Sequence, residues 1–353
     1  MGFQHYKNVE IRGLAACVPK NIEDNRQSQL FSTDDQKKMF IETTGVISRH
    51  VIANRDICSS DLCFEAANKL MYELNWKREE IDCLIFVSQT PDYIMPATAC
   101  ILQERLGLSN ECFAMDISLG CSGWIYGVST VAALLQNGYF KKGLLLAGDT
   151  STVTKSKKDK STYPLFGDCG TATALQYKKG CVGFKAHTAT DGKGYKAIYI
   201  PHGGFRTFYN SRSSKEIEFP DGNIRTNLHT ILDGPTVFTF GISKVPLSIS
   251  GLLKHFNIDI ELIDYFIFHQ ANKILNEQIR KKLKLPVEKV PYSIEYYGNT
   301  SSASIPLTMV TKLKNKLESG NCRLIACGFG VGLSWGTIYF ETNNIICPEI
   351  IEI

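Results

Sequence analysis

Short, almost wholly apolar runs alternate along the chain with longer stretches in which apolar residues recur at helical spacing. GLAACV (13–18) is followed by a helical stretch over 59–75. IDCLIFV (81–87) leads to one over 97–107, and CFAMDI (112–117) to one over 122–137, which runs on into GLLLAG (143–148). A strand with one wet face alternates apolar and polar residues, whereas runs as uniform as these belong to strands covered on both faces by helices. The pattern predicts an α/β fold.

The second half repeats the rhythm of the first. Ile81-Asp82-Cys83-Leu84-Ile85-Phe86 recurs as Ile263-Asp264-Tyr265-Phe266-Ile267-Phe268 at an offset of 182, and Gly143 to Gly148 recurs loosely as Cys322 to Gly328 at an offset of 180. One duplication with a period near 181 fits both, and it predicts two pseudo-symmetric α/β halves, 1–182 and 183–353. The spacing from Cys121 to Gly148 is 27 residues, as is that from Ser301 to Gly328, which makes GCSGW (120–124) and GNTSSAS (298–304) equivalent corners. Ligands of α/β sheets bind beyond the carboxyl ends of the strands. A crevice faced by these two corners, and by His269-Gln270-Ala271-Asn272 at the end of the strand 263–268, is therefore where chemistry is expected.

Composition narrows the functional class. At 353 residues and 44% hydrophobic content the chain can bury one large core or two ordinary ones. The net charge of +4 comes from 39 basic and 35 acidic residues, so no global polycation draws the protein to nucleic acid or to an anionic membrane. The N-terminus lacks a charged-then-apolar signal pattern, and no apolar run reaches the about eighteen residues of a spanning helix; the expected location is the cytoplasm. Twelve cysteines without a CxxC pair argue against a disulfide framework and against structural zinc, so eleven of them are expected to be reduced, buried filler.

The twelfth, Cys121, sits between Gly120 and Gly123 where a strand yields to a helix. The positive end of a helix and its free N–H groups lower a thiol pKa from about 8.5, so Cys121 is expected to be a thiolate nucleophile. The glycines allow a sharp turn and leave room for a thioester carbonyl to reach the amides of that turn. His269 and Asn299 supply a neutral imidazole and a carboxamide. Both can donate to one thioester oxygen and stabilise the enolate formed when a malonyl group loses carbon dioxide, without a metal. Each residue alone has an ordinary explanation, as filler, structural histidine or turn asparagine. Their occurrence together at related corners points to chemistry.

As a set, TTGVISRH (43–50), DISLGCSGW (116–124), FGDCGTATAL (166–175), FHQAN (268–272), YYGNTSSAS (296–304) and GFGVGLSWG (328–336) resemble the β-ketoacyl-[acyl-carrier-protein] synthase III enzymes, thiolase-like condensing enzymes, over essentially the full length. The resemblance implies a thiolase-like fold with a layered αβαβα core. It makes Cys121 the acylated nucleophile, His269 and Asn299 the activators of the malonyl donor, and the amides of Cys121 and Val331 an oxyanion hole. It also implies a homodimer in which the loop Tyr93-Ile94-Met95-Pro96 closes the partner's acyl tunnel, with Met95 as the gate. In the implied cycle Cys121 takes an acyl group from its carrier and a malonyl thioester is decarboxylated. The resulting enolate then attacks the acyl-cysteine to give a β-ketoacyl thioester. Acyl carrier protein or coenzyme A delivers the substrates as phosphopantetheine thioesters, and no cofactor or metal is permanently bound.

Several positions depart from that pattern. STDDQKKMFIETTG (32–45) lacks the tryptophan and arginine that sandwich the adenine of coenzyme A in ordinary members, and Ile274 stands near the position of a further family arginine. Lys155, Lys157, Lys158 and Lys160, and Arg280, Lys281, Lys282 and Lys284, are suited to an acidic carrier face or to the phosphates of its arm; otherwise they are solvated surface. Of these, Lys160, Arg280, Lys281 and Lys284 are taken as the candidate contacts. Residues 191–226 lack periodicity and are expected to shape the substrate entrance or the dimer surface. Together the departures suggest a specialised pathway rather than housekeeping fatty-acid initiation. Competing readings are a Cys121-dependent acyltransferase to an oxygen or nitrogen nucleophile, a silent subunit of a heteromeric synthase, and a degradative thiolase using Cys327, although Cys327 is expected to be a strand residue facing the core.

Overall fold

Two mixed sheets carry the fold in the computed structural model, which describes residues 2–53 and 56–353. The strands of these sheets, in chain order, are β1 (Phe3–Tyr6), β2 (Val9–Val18), β3 (Cys83–Val87), β4 (Phe113–Ile117), β5 (Lys142–Thr150), β6 (Asp168–Tyr177), β7 (Phe184–Thr190), β8 (Tyr265–Phe268), β9 (Asn321–Gly330), β10 (Ser334–Asn343) and β11 (Ile351–Glu352). The first sheet runs β11-β2-β6-β5-β3-β4 and the second β1-β7-β10-β9-β8. Within the first, β3 is parallel to β5, β5 antiparallel to β6, and β6 antiparallel to β2. Within the second, β8, β9, β10 and β7 repeat that sequence of pairings.

Between the sheets lie two helices, α3 (Gly123–Leu135) and α6 (Ser304–Lys312). A helix with a sheet on each side must be apolar nearly all round. In α3, Trp124, Ile125, Val128, Val131, Ala132 and Leu135 are all 0% exposed, and in α6 Ile305, Leu307, Met309 and Val310 join the same core. Outside the first sheet pack α1 (Ser59–Glu73) and α2 (Thr98–Arg105), and outside the second α4 (Gly234–His255) and α5 (Lys273–Lys282). The result is the five-layer αβαβα arrangement of a thiolase-like fold. Its strand-to-helix corners before α3 and α6 point into the same interior space.

Four expectations are corrected. The termini cross the 182/183 division: β1 pairs with β7 in the second sheet, and β11 pairs with β2 in the first. The run CFAMDI is not covered on both faces, because β4 is an edge strand and is at least partly exposed along its length, Phe113 at 41%. The helix α4 is apolar and long enough, by composition, to cross a membrane. Its Phe240, Val245, Ile249 and Leu252 nevertheless pack in the core against the second sheet. All twelve cysteines are free, yet Cys100 is exposed and Cys58, Cys112 and Cys181 are only partly buried, so the filler role does not cover them.

Candidate active site

A cavity of about 730 Å³ opens where the corners of the two halves meet, and Cys121, His269, Asn299 and Val331 all line it. The turn that presents Cys121 and the turn at the end of β9 that faces it are packed too tightly for side chains at their glycines. A Cβ on Gly120 would lie 2.3 Å from Gln89 Oε1, and one on Gly330, whose φ is +156°, would lie 2.6 Å from Cys121 Cβ and 2.7 Å from its Sγ. The amides of Val331 and of Cys121 itself face the sulfur. One hydrogen-bonded chain ties the two turns together. Ser122 Oγ is 2.7 Å from Ser334 Oγ, which donates to the Val331 carbonyl at 2.8 Å. Asp149, at the end of β5, makes a second tie between the halves by accepting from the Gln89 amide at 2.7 Å and from the Ser302 amide and hydroxyl at 3.1 and 2.7 Å.

His269 leaves the carboxyl end of β8 with its backbone N–H donating to the Cys327 carbonyl at 2.8 Å. Its Nδ1 lies 2.7 Å from Ser304 Oγ, at the start of α6, and its ring meets Phe329 edge to face at 5.6 Å. Burial removes the water an imidazolium would need and drives the His269 pKa down to about 3, with only weak opposition from the Ser301 backbone. The imidazole is therefore neutral at physiological pH. Asn299 is held by its backbone N–H on the Leu165 carbonyl at 2.9 Å, and its Oδ1 accepts from the Ser301 amide at 3.0 Å. With the oxygen engaged, the amide nitrogen is the group left for a ligand, its hydrogen bond among the described residues being a long 3.4 Å one to the Ala271 carbonyl.

The expected thiolate is overturned. Burial is the largest influence on Cys121, which is 8% exposed, and pushes its pKa up to about 11. Asp149 pushes the same way, while the Val331 and Cys121 amides and the charge of Lys155 oppose without prevailing. A helix end supplies only partial charges, and here the sulfur has lost more hydration than they return. Cys121 is a neutral thiol at rest.

The remaining candidates scatter. Met95 is 76% exposed beside Tyr93 and Ile94 and does not line the cavity of its own chain. Lys160 is half-buried, its amide donating to Asn223 Oδ1. Lys281 and Lys284 are exposed at the end of α5. Arg280 is not available to a phosphate: its guanidinium pairs with Glu277 at 2.8 Å and donates to the Leu285 carbonyl at 2.6 Å, closing the C-terminus of α5. Lys155, grouped above with surface lysines, turns inward and lines the cavity. Cys327 is fully buried in β9 against Thr337 Oγ1 and off the cavity wall, which removes the second cysteine a thiolase would use. From the irregular segment 191–226, Ile198, Tyr199 and Ile200 form part of the wall, so that segment does shape the cavity.

Sequence reasoning missed Asp149, Ser304 and the inward Lys155. A polar residue directly after the buried run GLLLAG was a usable signal for Asp149. Ser304 carried none beyond its place in a quoted motif, and Lys155 looked like one of four lysines in a polar stretch.

Profiles described as 3-oxoacyl-[acyl-carrier-protein (ACP)] synthase III and as the C-terminal part of that enzyme match residues 115–192 and 253–342. The β-ketoacyl-[acyl-carrier-protein] synthase III of Rhodopirellula baltica is 32% identical, over 95% of this chain and 99% of its own. That of Caldanaerobacter subterraneus is 33% identical over 93% and 96%. The crystal structure of a 3-oxoacyl-(acyl-carrier protein) synthase from Burkholderia xenovorans superposes with a TM-score of 0.93 at 37% identity, covering 99% of each chain.

Proposed function

The chain belongs to the β-ketoacyl-[acyl-carrier-protein] synthase III family of acyl-transferring condensing enzymes, and we propose that it joins an acyl group held on Cys121 to a malonyl thioester by decarboxylative Claisen condensation. The observation that carries this reading is the convergence of a thiol, a neutral imidazole and a carboxamide on one cavity, with two backbone amides at the sulfur.

In the first half-reaction Cys121 Sγ attacks the carrier thioester. Its developing oxyanion is stabilised by the amides of Cys121 and Val331, and the carrier thiol departs with the proton that Sγ gives up. The proton that Sγ gives up is the one the carrier thiolate takes, so the step balances although Cys121 rests as the thiol. In the second, the malonyl carbonyl oxygen accepts hydrogen bonds from His269 and Asn299. Carbon dioxide leaves, and the bonding pair remains as an enolate that attacks the acyl carbon and expels Cys121 as a thiolate, which takes a proton from solvent. The product is a β-ketoacyl thioester two carbons longer than the primer.

Substrates arrive on acyl carrier protein or coenzyme A, with Lys160, Lys281 and Lys284 as contacts for the carrier or its phosphates, and no resident cofactor takes part. The working unit is a cytoplasmic homodimer in which Met95 closes the partner's tunnel; the exposure of Tyr93, Ile94 and Met95 supports this. The absence of the adenine-sandwiching pair from residues 32–45 favours a specialised primer over acetyl coenzyme A. Intact mass after exposure to acyl thioesters, together with carbon dioxide release from malonyl thioester, tests the reading. A Cys121-dependent adduct followed by carbon dioxide release is expected. An adduct passed to an oxygen or nitrogen acceptor without decarboxylation, or no adduct from any donor, would overturn it.

A further inference from the structure

Lys155 is a buried cation on the wall of the cavity that holds Cys121. It is 7% exposed, and its ammonium lies 4.2 Å from the centre of the Phe166 ring. Its three N–H groups are taken by neutral oxygens: the Ser151 carbonyl at 3.2 Å, Thr154 Oγ1 at 2.7 Å and Thr230 Oγ1 at 3.1 Å. Among the described residues no carboxylate forms an ion pair with it, although Asp149, Asp168 and Asp159 act on it from farther off. A buried lysine is ordinarily paired, because an ion stripped of water is costly without an opposite charge. Here the hydrogen bonds are complete, while the charge is met only through space, by those three aspartates, and not by a contact ion pair. Consistent with that deficit, burial draws the Lys155 pKa down to about 8, leaving it mainly protonated at neutral pH.

The recess is set into an otherwise apolar stretch of wall, beside Leu165, Phe166, Ile198 and Leu232. It is formed where the stretch around Thr230 meets the first half, the Thr230 amide donating to the Thr154 carbonyl at 2.9 Å. The carboxylate on the wall, Asp149, is held by donors of its own, Gln89 and Ser302, and Lys155 is the one lysine or arginine on that wall among the described residues. An anion entering the cavity is thus directed to one place.

We propose that Lys155, with the hydroxyls of Thr154 and Thr230, is a specificity site for an acyl group whose far end carries a carboxylate, so that the primer loaded on Cys121 is the half-thioester of a dicarboxylic acid. This rests on the acyl-cysteine reading above. The carboxylate accepts from the ammonium and from the two threonine hydroxyls, which rotate to donate to it. The neutral oxygens that hold the Lys155 ammonium give way to a true counter-ion. A plain acyl chain of the same length would bury its methyl end against an unpaired charge instead.

The test compares Cys121 acylation, by intact mass and with Cys121→Ala as control, for glutaryl, adipyl and suberyl pantetheine against pentanoyl, hexanoyl and octanoyl pantetheine. Pantetheine thioesters make the outcome independent of the carrier. A charge-assisted hydrogen bond corresponds to a preference of about ten- to a hundred-fold for at least one carboxylated chain. Lys155→Met should reverse that ratio, and Thr230→Val should reduce it. Preference of the wild-type protein for plain chains, equal loading of an ω-hydroxy chain, or an unchanged ratio in a folded Lys155→Met variant would overturn the proposal. Were that variant not to fold, the wild-type ratio and Thr230→Val would still decide it. Plain chains loading without carboxylated ones would defeat this inference alone, whereas no adduct from any donor would defeat the acyl-cysteine reading with it.

Discussion

Replacing Gly330 by alanine tests whether the nucleophile turn depends on contact between the halves. The new Cβ would stand 2.7 Å from Cys121 Sγ and 2.6 Å from its Cβ, against an ordinary non-bonded separation of about 3.5–4.0 Å. One of the two turns must therefore retreat by about 1 Å. The φ of +156° at Gly330 adds backbone strain on the order of 1–3 kcal/mol, and the overlap adds about as much again. Set against a total stability of about 5–15 kcal/mol, the variant should fold, with a lowered melting temperature. Its chemistry should suffer more than its stability. The Val331 amide is in the next residue, so a shift of 1 Å moves the oxyanion donors away from the sulfur and costs about a hundred-fold in acylation rate. Gly180→Ala is the control for strain alone, since Gly180 has φ +86° with nothing within 4 Å of its would-be Cβ. That variant should lose some stability and acylate at the wild-type rate. Initial rates of Cys121 acylation by intact mass, read beside thermal unfolding, make the comparison. A folded Gly330→Ala protein that acylates like the wild type, or a Gly180→Ala protein equally impaired, would refute the reasoning.

Ser304→Ala removes the hydroxyl 2.7 Å from His269 Nδ1 and frees the ring to tilt. Carbon dioxide release should fall roughly ten-fold, and Cys121 acylation, which does not use the imidazole, should be unchanged; equal losses in both steps would contradict the division of roles. The raised pKa of Cys121 makes a second prediction. Below about 11 the thiolate fraction grows ten-fold per pH unit, so iodoacetamide alkylation of Cys121, followed by peptide mass, should still be climbing between pH 9 and 10. A rate that levels off below pH 8 would mean that the helix end outweighs desolvation after all.

Much of this protein was legible in one dimension. Strands such as 83–87 and 143–148 are apolar at nearly every position because helices cover both faces, and that periodicity is written locally. The offset near 181 related the corner at Cys121 to the corner at Ser301, and the strand ending at Phe268 put His269 beside them, so the principal site residues could be named before any coordinates. Polar context was the weak point: Lys155 and Arg280 both read as surface cations. Lys155 turned into the cavity, where Thr230, a residue no local pattern connects to it, is one of its partners; Arg280 was consumed by Glu277, three residues earlier on the same helix, and by a helix end, a local pairing that its spacing did offer.

The sequence by itself determined the α/β class and the duplication and singled out Cys121, His269 and Asn299, which meet on one cavity, since each depends on local spacing or on repetition. Only the tertiary structure decided which terminal strand joins which sheet, the protonation of Cys121 and His269, the hydrogen bonds that orient them and the inward turn of Lys155. Those properties depend on how much water each group loses and on which distant residues replace it, and desolvation is a property of packed neighbours that the order of residues along a chain does not contain.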